Sequence, residues 1–350
     1  KKGFMLFSED AATTGDMQSH EKMYKALTDY INFNHILGVS NAGEINAMVL
    51  NRNSSDLINV AEALHNKYIA QIADEITRRH EEGGARIVLI AGPSSSGKTT
   101  TTKRLGIQLM ANLLKPQVIC LDDYFVNRVD TPLDEFGQYD FENINAVDLP
   151  RFNDDLTRIL RGEEVQLPTY NFETGKREFR GNTAKLEKGG VLLIEGIHGL
   201  NPELTASIPD NVKFRVYVSA LTTLTIDSHN WVPTTDNRLL RRIVRDYKYR
   251  GFSAAETIRM WPSVLRGEEK WIFPYQENAD ATFNSALLFE LSVFKEQAER
   301  ILKEVPSDEP EYCEAYRLRR FLEHFVPIQA EMIPPTSLLR EFVGGSSFHY

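Results

Sequence analysis

Residues 86 to 100 read RIVLIAGPSSSGKTT, and no other stretch restricts the fold so tightly. The apolar, β-rich run Ile87–Ala91 stops at a glycine. A serine-rich loop follows, and then a Lys-Thr start to a segment of helical character. Gly92, Gly97, Lys98 and Thr99 satisfy the pattern G-x-x-x-x-G-K-[ST] without a mismatch. Glycines at those two places let backbone N–H groups converge on phosphate oxygens, and the positive end of the following helix points at the same spot. The reading makes Gly92, Ser94, Ser95, Ser96, Gly97, Lys98, Thr99 and Thr100 a polyphosphate cradle. Lys98 reaches the β- and γ-phosphates, and the Thr99 hydroxyl ligates Mg²⁺. The plain alternative is a serine-rich turn that only caps a helix.

A phosphate loop of this kind needs a strand before it and a helix after it, so the question passes to the rest of the chain. Strand-like runs lie at 86–91, 117–121, 190–194 and 213–218, with helical segments between them at about 98–114 and 152–161. That alternation predicts an α/β fold: a parallel sheet with right-handed crossovers, flanked by helices. The stretch VQLPTYNFETGKREFR (165–180) reads differently, as a β-hairpin flap turning at Thr174-Gly175. Apolar residues at helical spacing predict a helix over 56–82, with Ser54 or Ser55 as its N-cap and Gly83-Gly84 as its end. EKMYKALTDYINF has helical spacing too, and 290–325 reads as helical. The expected division is an N-terminal extension (1–84), a phosphate-loop domain (85–289) and a helical C-terminal appendage (290–350).

Bulk properties narrow the class. The 350-residue chain is 42% hydrophobic and 25% charged, as in an ordinary globular protein, and has a formal net charge of −9. That charge argues against broad binding of nucleic acid or anionic membrane. Cys120 and Cys313, the two cysteines, form no disulfide framework or zinc motif, which suggests a reducing, cytoplasmic setting. No apolar run reaches membrane-spanning length. The first residues, KKGFMLFSED, show neither an initiator Met nor an apolar signal segment, so the chain is expected to be part of a longer protein. The sequence leaves the oligomeric state open, a homo-oligomer included.

Two carboxylates stand where such sheets place ligands. The run VICLDDYF puts Asp122 and Asp123 after a strand, at the sheet's C-terminal edge. There a carboxylate can accept a hydroxyl proton or hold Mg²⁺ through water; a pair of solvated turn acids is the alternative. VLLIEGIHGL ends another buried strand on Glu195, the usual place of an acid that serves the metal. DNRLLRRIVRDYKYRG is strongly basic. At helical spacing Arg238, Arg241, Arg245 and Lys248 share one face, able to close over a triphosphate and neutralise charge on the transferred phosphoryl group. A solvated basic face and an RNA-binding face are the other readings of this helix.

GPSSSGKTT, LDDYF, YDFENINAVDL, LPTYNF, IEGIHGL and DNRLLRRIVRDYKYRG occur in the order found in the uridine/cytidine kinase group, a relative of phosphoribulokinase and bacterial pantothenate kinase. The chain resembles that family over about 86–285. The resemblance implies ATP- or GTP-dependent, Mg²⁺-assisted transfer to the 5′-hydroxyl of a nucleoside, most naturally uridine or cytidine. Asp122 is then the base, Lys98 the phosphate clamp, and Thr99 and Glu195 the Mg²⁺ residues. Asp140 binds the ribose hydroxyls. Arg238, Arg241, Arg245 and Arg250 belong to a mobile lid, with Arg241 and Arg245 the leading catalytic arginines, Arg250 on the nucleotide and Arg238 on the substrate.

The flap departs from the family's Pro-x-Tyr-Asp-Phe-x-x-His-x-Arg. Tyr170, Phe172 and Arg177 are kept, Asn171 replaces Asp, and Gly175 stands at the base-contacting His. His198 and His229 are candidate replacements. The missing histidine keeps another small alcohol, such as a sugar phosphate or a pantothenate-like acceptor, open as substrate. A nucleotide-sensing or RNA-associated module is the third reading. The chain, including GGSSFHY near its end, is also similar to larger bacterial members of the family in which the kinase core follows domains like the N-terminal part of threonyl-tRNA synthetase.

Overall fold

The structure is a computed structural model, and it describes residues 21–227 and 229–349. The opening decapeptide discussed above lies outside the described residues. Helices α1 (Glu21–Leu37), α2 (Ala42–Leu50) and α3 (Ser54–Glu81) come first, then β1 (Ile87–Ala91), α4 (Lys98–Ala111), β2 (Lys115–Cys120) and α5 (Leu149–Leu160). Four short strands follow: β3 (Val165–Gln166), β4 (Thr169–Asn171), β5 (Lys176–Glu178) and β6 (Thr183–Ala184). The chain continues with β7 (Gly190–Glu195), β8 (Lys213–Ser219), α6 (Thr234–Tyr249), α7 (Ala254–Trp271) and β9 (Ala281–Asn284). It ends with α8 (Glu290–Leu302), α9 (Tyr312–Leu322) and the single turn α10 (Arg340–Val343).

The main sheet has the order β2-β7-β1-β8-β9, and every pairing in it is parallel. β1 is buried along its whole length and β7 along all but its last residue, as expected for central strands covered by helices on both faces. Alternation along β1 and β7 sends side chains to two cores. Val88, Ile90, Val191 and Leu193 pack against α3 and the C-terminal helices. Ile87, Leu89, Leu192 and Ile194 pack against α5, Tyr124, Phe125 and Tyr170. The first core also takes Ile45, Ile69, Phe294, Leu318 and Phe342, so the described parts of 1–84 and 290–350 share it with the sheet.

The predicted hairpin is present: β4 and β5 pair antiparallel around Gly175 at φ +66°, and Asn171 lies opposite Lys176. The N-cap expectation for α3 needs correction. The helix starts at Ser54 with Asn53 as N-cap, and that cap makes no side-chain bond. Strand β9 was not foreseen. It is short and has no clear alternation, and it is placed by pairing to β8.

Candidate active site

The strands' C-terminal ends bring the sequence-predicted site together. β1 runs into the phosphate loop, β2 into Asp122 and β7 into Glu195. Gly92 is fixed by a close approach, since a Cβ there would lie 1.9 Å from the Val218 carbonyl oxygen. Gly97 caps α4 in the left-handed region (φ +81°), and Ser95 is left-handed as well (φ +58°). The result is a concave run of amides at a helix N-terminus, the anion-binding shape expected of the motif. Lys98 Nζ donates to the carbonyls of Gly92 (2.9 Å) and Pro93 (3.1 Å), which holds the ammonium over the loop. The Ser95 and Ser96 hydroxyls are buried with no hydrogen-bond partner among the described residues.

Thr99 Oγ1 donates to Glu195 Oε1 at 2.5 Å. A hydroxyl and a carboxylate so close are hard oxygen donors of the kind Mg²⁺ takes, and this cation is usually held by one or two protein carboxylates plus substrate phosphates. The residues therefore fit the ion. Burial pushes the Glu195 carboxyl up to about 7, against the pull of Thr99 and Lys98, while nearby Glu341 and Asp122 add to the rise. Burial lowers Lys98 and is opposed by Glu195, Asp122, Glu142 and Glu341. Asp122 is raised by its removal from water, with Lys98, Arg250 and Arg245 pulling the other way.

The basic helix α6 divides its arginines differently from the sequence expectation. Arg238 and Arg241 are almost fully buried. Arg238 pairs with Glu268 and donates to the Ser94 carbonyl (2.9 Å). Arg241 pairs with Glu290 and donates to the carbonyls of Ser95 (3.3 Å) and Ser285 (2.9 Å). Both guanidinium groups are engaged by buried carboxylates and loop carbonyls, contacts that do not fit the catalytic role expected of Arg241 or the substrate-binding role expected of Arg238. They brace the loop from behind. Lys248 does not reach the site and donates to the Val343 carbonyl (2.6 Å). Arg242, Arg245 and Arg250 gather around the buried Asp246 at 3.2, 2.7 and 3.6 Å, and of the three only Arg250 is well exposed. Arg242, not singled out from the sequence, also donates to Ser94 Oγ (2.7 Å).

A similar exchange occurs among the acids. Asp140 folds toward its own turn, accepting from the Glu142 amide (3.2 Å) and Asn143 Nδ2 (3.4 Å), so part of the acceptor capacity expected for ribose is used locally. The neighbouring Glu142 is the acid turned inward, toward the Lys98 and Asp122 charges. Its Oε2 is buried without a hydrogen-bond partner among the described residues. Burial, helped by Glu268, pushes its carboxyl up to about 7, while Arg242 and Lys98 draw it down. Gly267 on α7 makes room for it: a Cβ there would sit 2.4 Å from Glu142 Cβ.

The flap is tied to the turn that carries Asp122 and Asp123, with the Tyr170 amide donating to Asp123 Oδ1 (3.0 Å). Tyr170 lies edge-on to Phe125 (5.6 Å) and Phe172 (5.1 Å), and Phe125 meets Phe141 (6.3 Å). Phe141 and Phe172 remain exposed. Arg177 pairs with Asp148 at 2.7 Å, fixing the flap to the N-terminus of α5. Gly175 is spanned by Arg128: a Cβ at 175 would meet Arg128 Nε at 2.9 Å, and the guanidinium donates to the Phe172 carbonyl. Of the two histidines, His229 sits in an exposed turn with its amide on Asp227. His198 is buried near the Asn143 backbone, and burial lowers it to about 4.

Among the described residues no helix is long and apolar enough to cross a membrane. Residues 87–288, more than half of the chain, match the sequence profile of the phosphoribulokinase / uridine kinase family. A uridine kinase of Staphylococcus aureus is 29% identical over 197 residues, which is 55% of this chain and 84% of that protein. A uridine kinase of Bacillus pumilus is 28% identical over 195 residues, 55% and 83% of the two chains. Among solved structures, a possible uridine kinase from Bacillus stearothermophilus superposes with a TM-score of 0.39 at 21% identity, covering 61% of this chain and 98% of its own. A D-glycerate 3-kinase from Cryptococcus neoformans does so with a TM-score of 0.33 at 14% identity, covering 79% and 87%.

Proposed function

The chain belongs to the phosphoribulokinase/uridine kinase family and is a phosphotransferase, and we propose that it moves the γ-phosphoryl group of ATP to the 5′-hydroxyl of a nucleoside, uridine or cytidine first, giving the 5′-monophosphate. The observation that carries the acceptor class is the group of rings Phe125, Phe141, Tyr170 and Phe172. It is linked through Asp123 to the turn bearing Asp122, and two of its members are exposed. Aromatic faces beside the base suit a planar heterocycle through stacking; a linear or sugar acceptor gains little from them.

Asp122 accepts the hydroxyl proton, and its raised pKa makes it a better base than a free aspartate. Glu142 accepts hydrogen bonds from the sugar hydroxyls. Lys98 and the loop amides hold the β- and γ-phosphates, and Arg242, Arg245 and Arg250 offset charge on the phosphoryl oxygens. Thr99 and Glu195 are the residues that would hold Mg²⁺, which supplies further neutralisation of the phosphates when bound. ATP is the donor of first choice, with GTP as the alternative.

A second reading rests on Arg128. A guanidinium laid over the flap turn would suit an anionic acceptor such as a sugar phosphate. The test is product formation from ATP·Mg²⁺ or GTP·Mg²⁺ with uridine, cytidine, adenosine, guanosine, ribulose 5-phosphate and pantothenate. Turnover confined to nucleosides supports the first reading. Turnover confined to the sugar phosphate or to pantothenate replaces it.

A further inference from the structure

The C-terminal segment places an acid in the donor-phosphate site. Glu341, on the α10 turn, accepts through Oε2 from both the Thr100 amide (3.2 Å) and the Thr100 hydroxyl (2.7 Å). Thr100 is in the first turn of α4, two residues after Lys98, among the amides with which a phosphate loop cradles the α- and β-phosphates. The segment that carries Glu341 is anchored on both sides. Leu338 and Phe342 are fully buried, with Leu338 pressed against Gly97 and Phe342 under the Arg241 guanidinium at 5.2 Å. Lys248 holds the Val343 carbonyl (2.6 Å), and Arg340 bridges the carbonyls of Gly344 (3.0 Å) and Ile333. Glu341 itself stays partly exposed between these anchors, so its side chain can leave Thr100 while the backbone holds.

We propose that Glu341 is a built-in competitor for the donor's α-phosphate: its carboxylate and the phosphate use the same Thr100 donors, so nucleotide binds only as Glu341 swings away. Two anions cannot share one N–H, and a carboxylate left beside a phosphate in a partly buried site repels it. Donor affinity is therefore set partly by a residue far along the chain from the loop. The Glu341 contacts lie with Lys98 and Glu195, which both feel its charge. The inference rests on the phosphate-loop reading alone and makes no use of the acceptor.

The test is calorimetric titration of the full chain and of its Glu341→Gln and Glu341→Ala variants with adenosine, AMP, ADP and ATP. Thermal melts confirm folding, and Glu331→Gln, an exposed acid of the same segment, serves as the charge control. Removing a competing charged acceptor should tighten AMP, ADP and ATP by about tenfold or more. Adenosine, which has no phosphate, should not change, and Glu331→Gln should shift nothing by more than about twofold. The gain should already be complete with AMP, because the contested donors serve the first phosphate. Unchanged or weaker AMP binding in both Glu341 variants overturns the proposal, as does an equal gain for adenosine. Failure of ADP and ATP to bind any of the proteins would instead sink the phosphate-loop reading.

Discussion

Replacing Arg241 by alanine separates a bracing arginine from a catalytic one. The wild-type guanidinium is fully buried, paired with Glu290, and bonded to the carbonyls of Ser95 and Ser285. Its loss leaves Glu290 buried without its cation, and breaking one side of such a pair costs about 3–5 kcal/mol. Stacking over Phe342 at 5.2 Å is lost too. Against a total stability of about 5–15 kcal/mol that is a large fraction, so chemical denaturation should show a clearly lower midpoint. The Ser95 carbonyl loses a donor, so nucleotide affinity should fall along with stability. The double variant Arg241→Met/Glu290→Leu, which removes both charges, should regain much of the stability. Wild-type stability and nucleotide affinity in Arg241→Ala, with turnover alone lost, would refute the reasoning and return Arg241 to the phosphoryl group.

Gly92→Ala should abolish nucleotide binding by titration, because the added Cβ would sit 1.9 Å from a carbonyl oxygen of β8. If the exposed Phe172 ring stacks on the acceptor as proposed, Phe172→Ala should raise the KM for a nucleoside several-fold and leave the Kd for ADP unchanged; equal effects on both would contradict that division. Mg²⁺ dependence should vary with pH. Glu195 is held near 7, so the apparent Mg²⁺ requirement should ease as pH rises from 6 to about 8, and saturating Mg²⁺ should shift the rate profile to lower pH. The linked stability has the opposite sign. With carboxyls raised from 4.5 to about 7 at Glu195 and Glu142, the folded state binds more protons than the unfolded chain in that window. Metal-free protein should then lose stability between about pH 4.5 and 7, measurable as a falling melting temperature.

What the sequence made legible was local chemistry. The phosphate loop, the acids that end β2 and β7, and the hairpin turn each depend on neighbours within a few residues, so spacing and glycine placement reveal them. Long-range partners did not show. The face of α6 carrying Arg238 and Arg241 looks solvent-bound on a helical wheel. It is buried because Glu268 and Glu290, from α7 and α8, neutralise it. Arg242 was hidden by the same ambiguity, since only packing decides which side of a basic helix faces the loop. Asp140 and Glu142 are two positions apart, and the sequence could not tell which would fold back into its own turn. Glu341 had no local signal. Its chemistry comes from Thr100, 241 positions away.

Asp122 is the proposed base, and its replacement tests the chemistry at its centre. Turnover of uridine by Asp122→Asn should be compared with wild type alongside titrations of ADP and uridine. Turnover should fall about 10²-fold or more, with both dissociation constants within a few-fold of wild type. Turnover retained in Asp122→Asn would contradict that role.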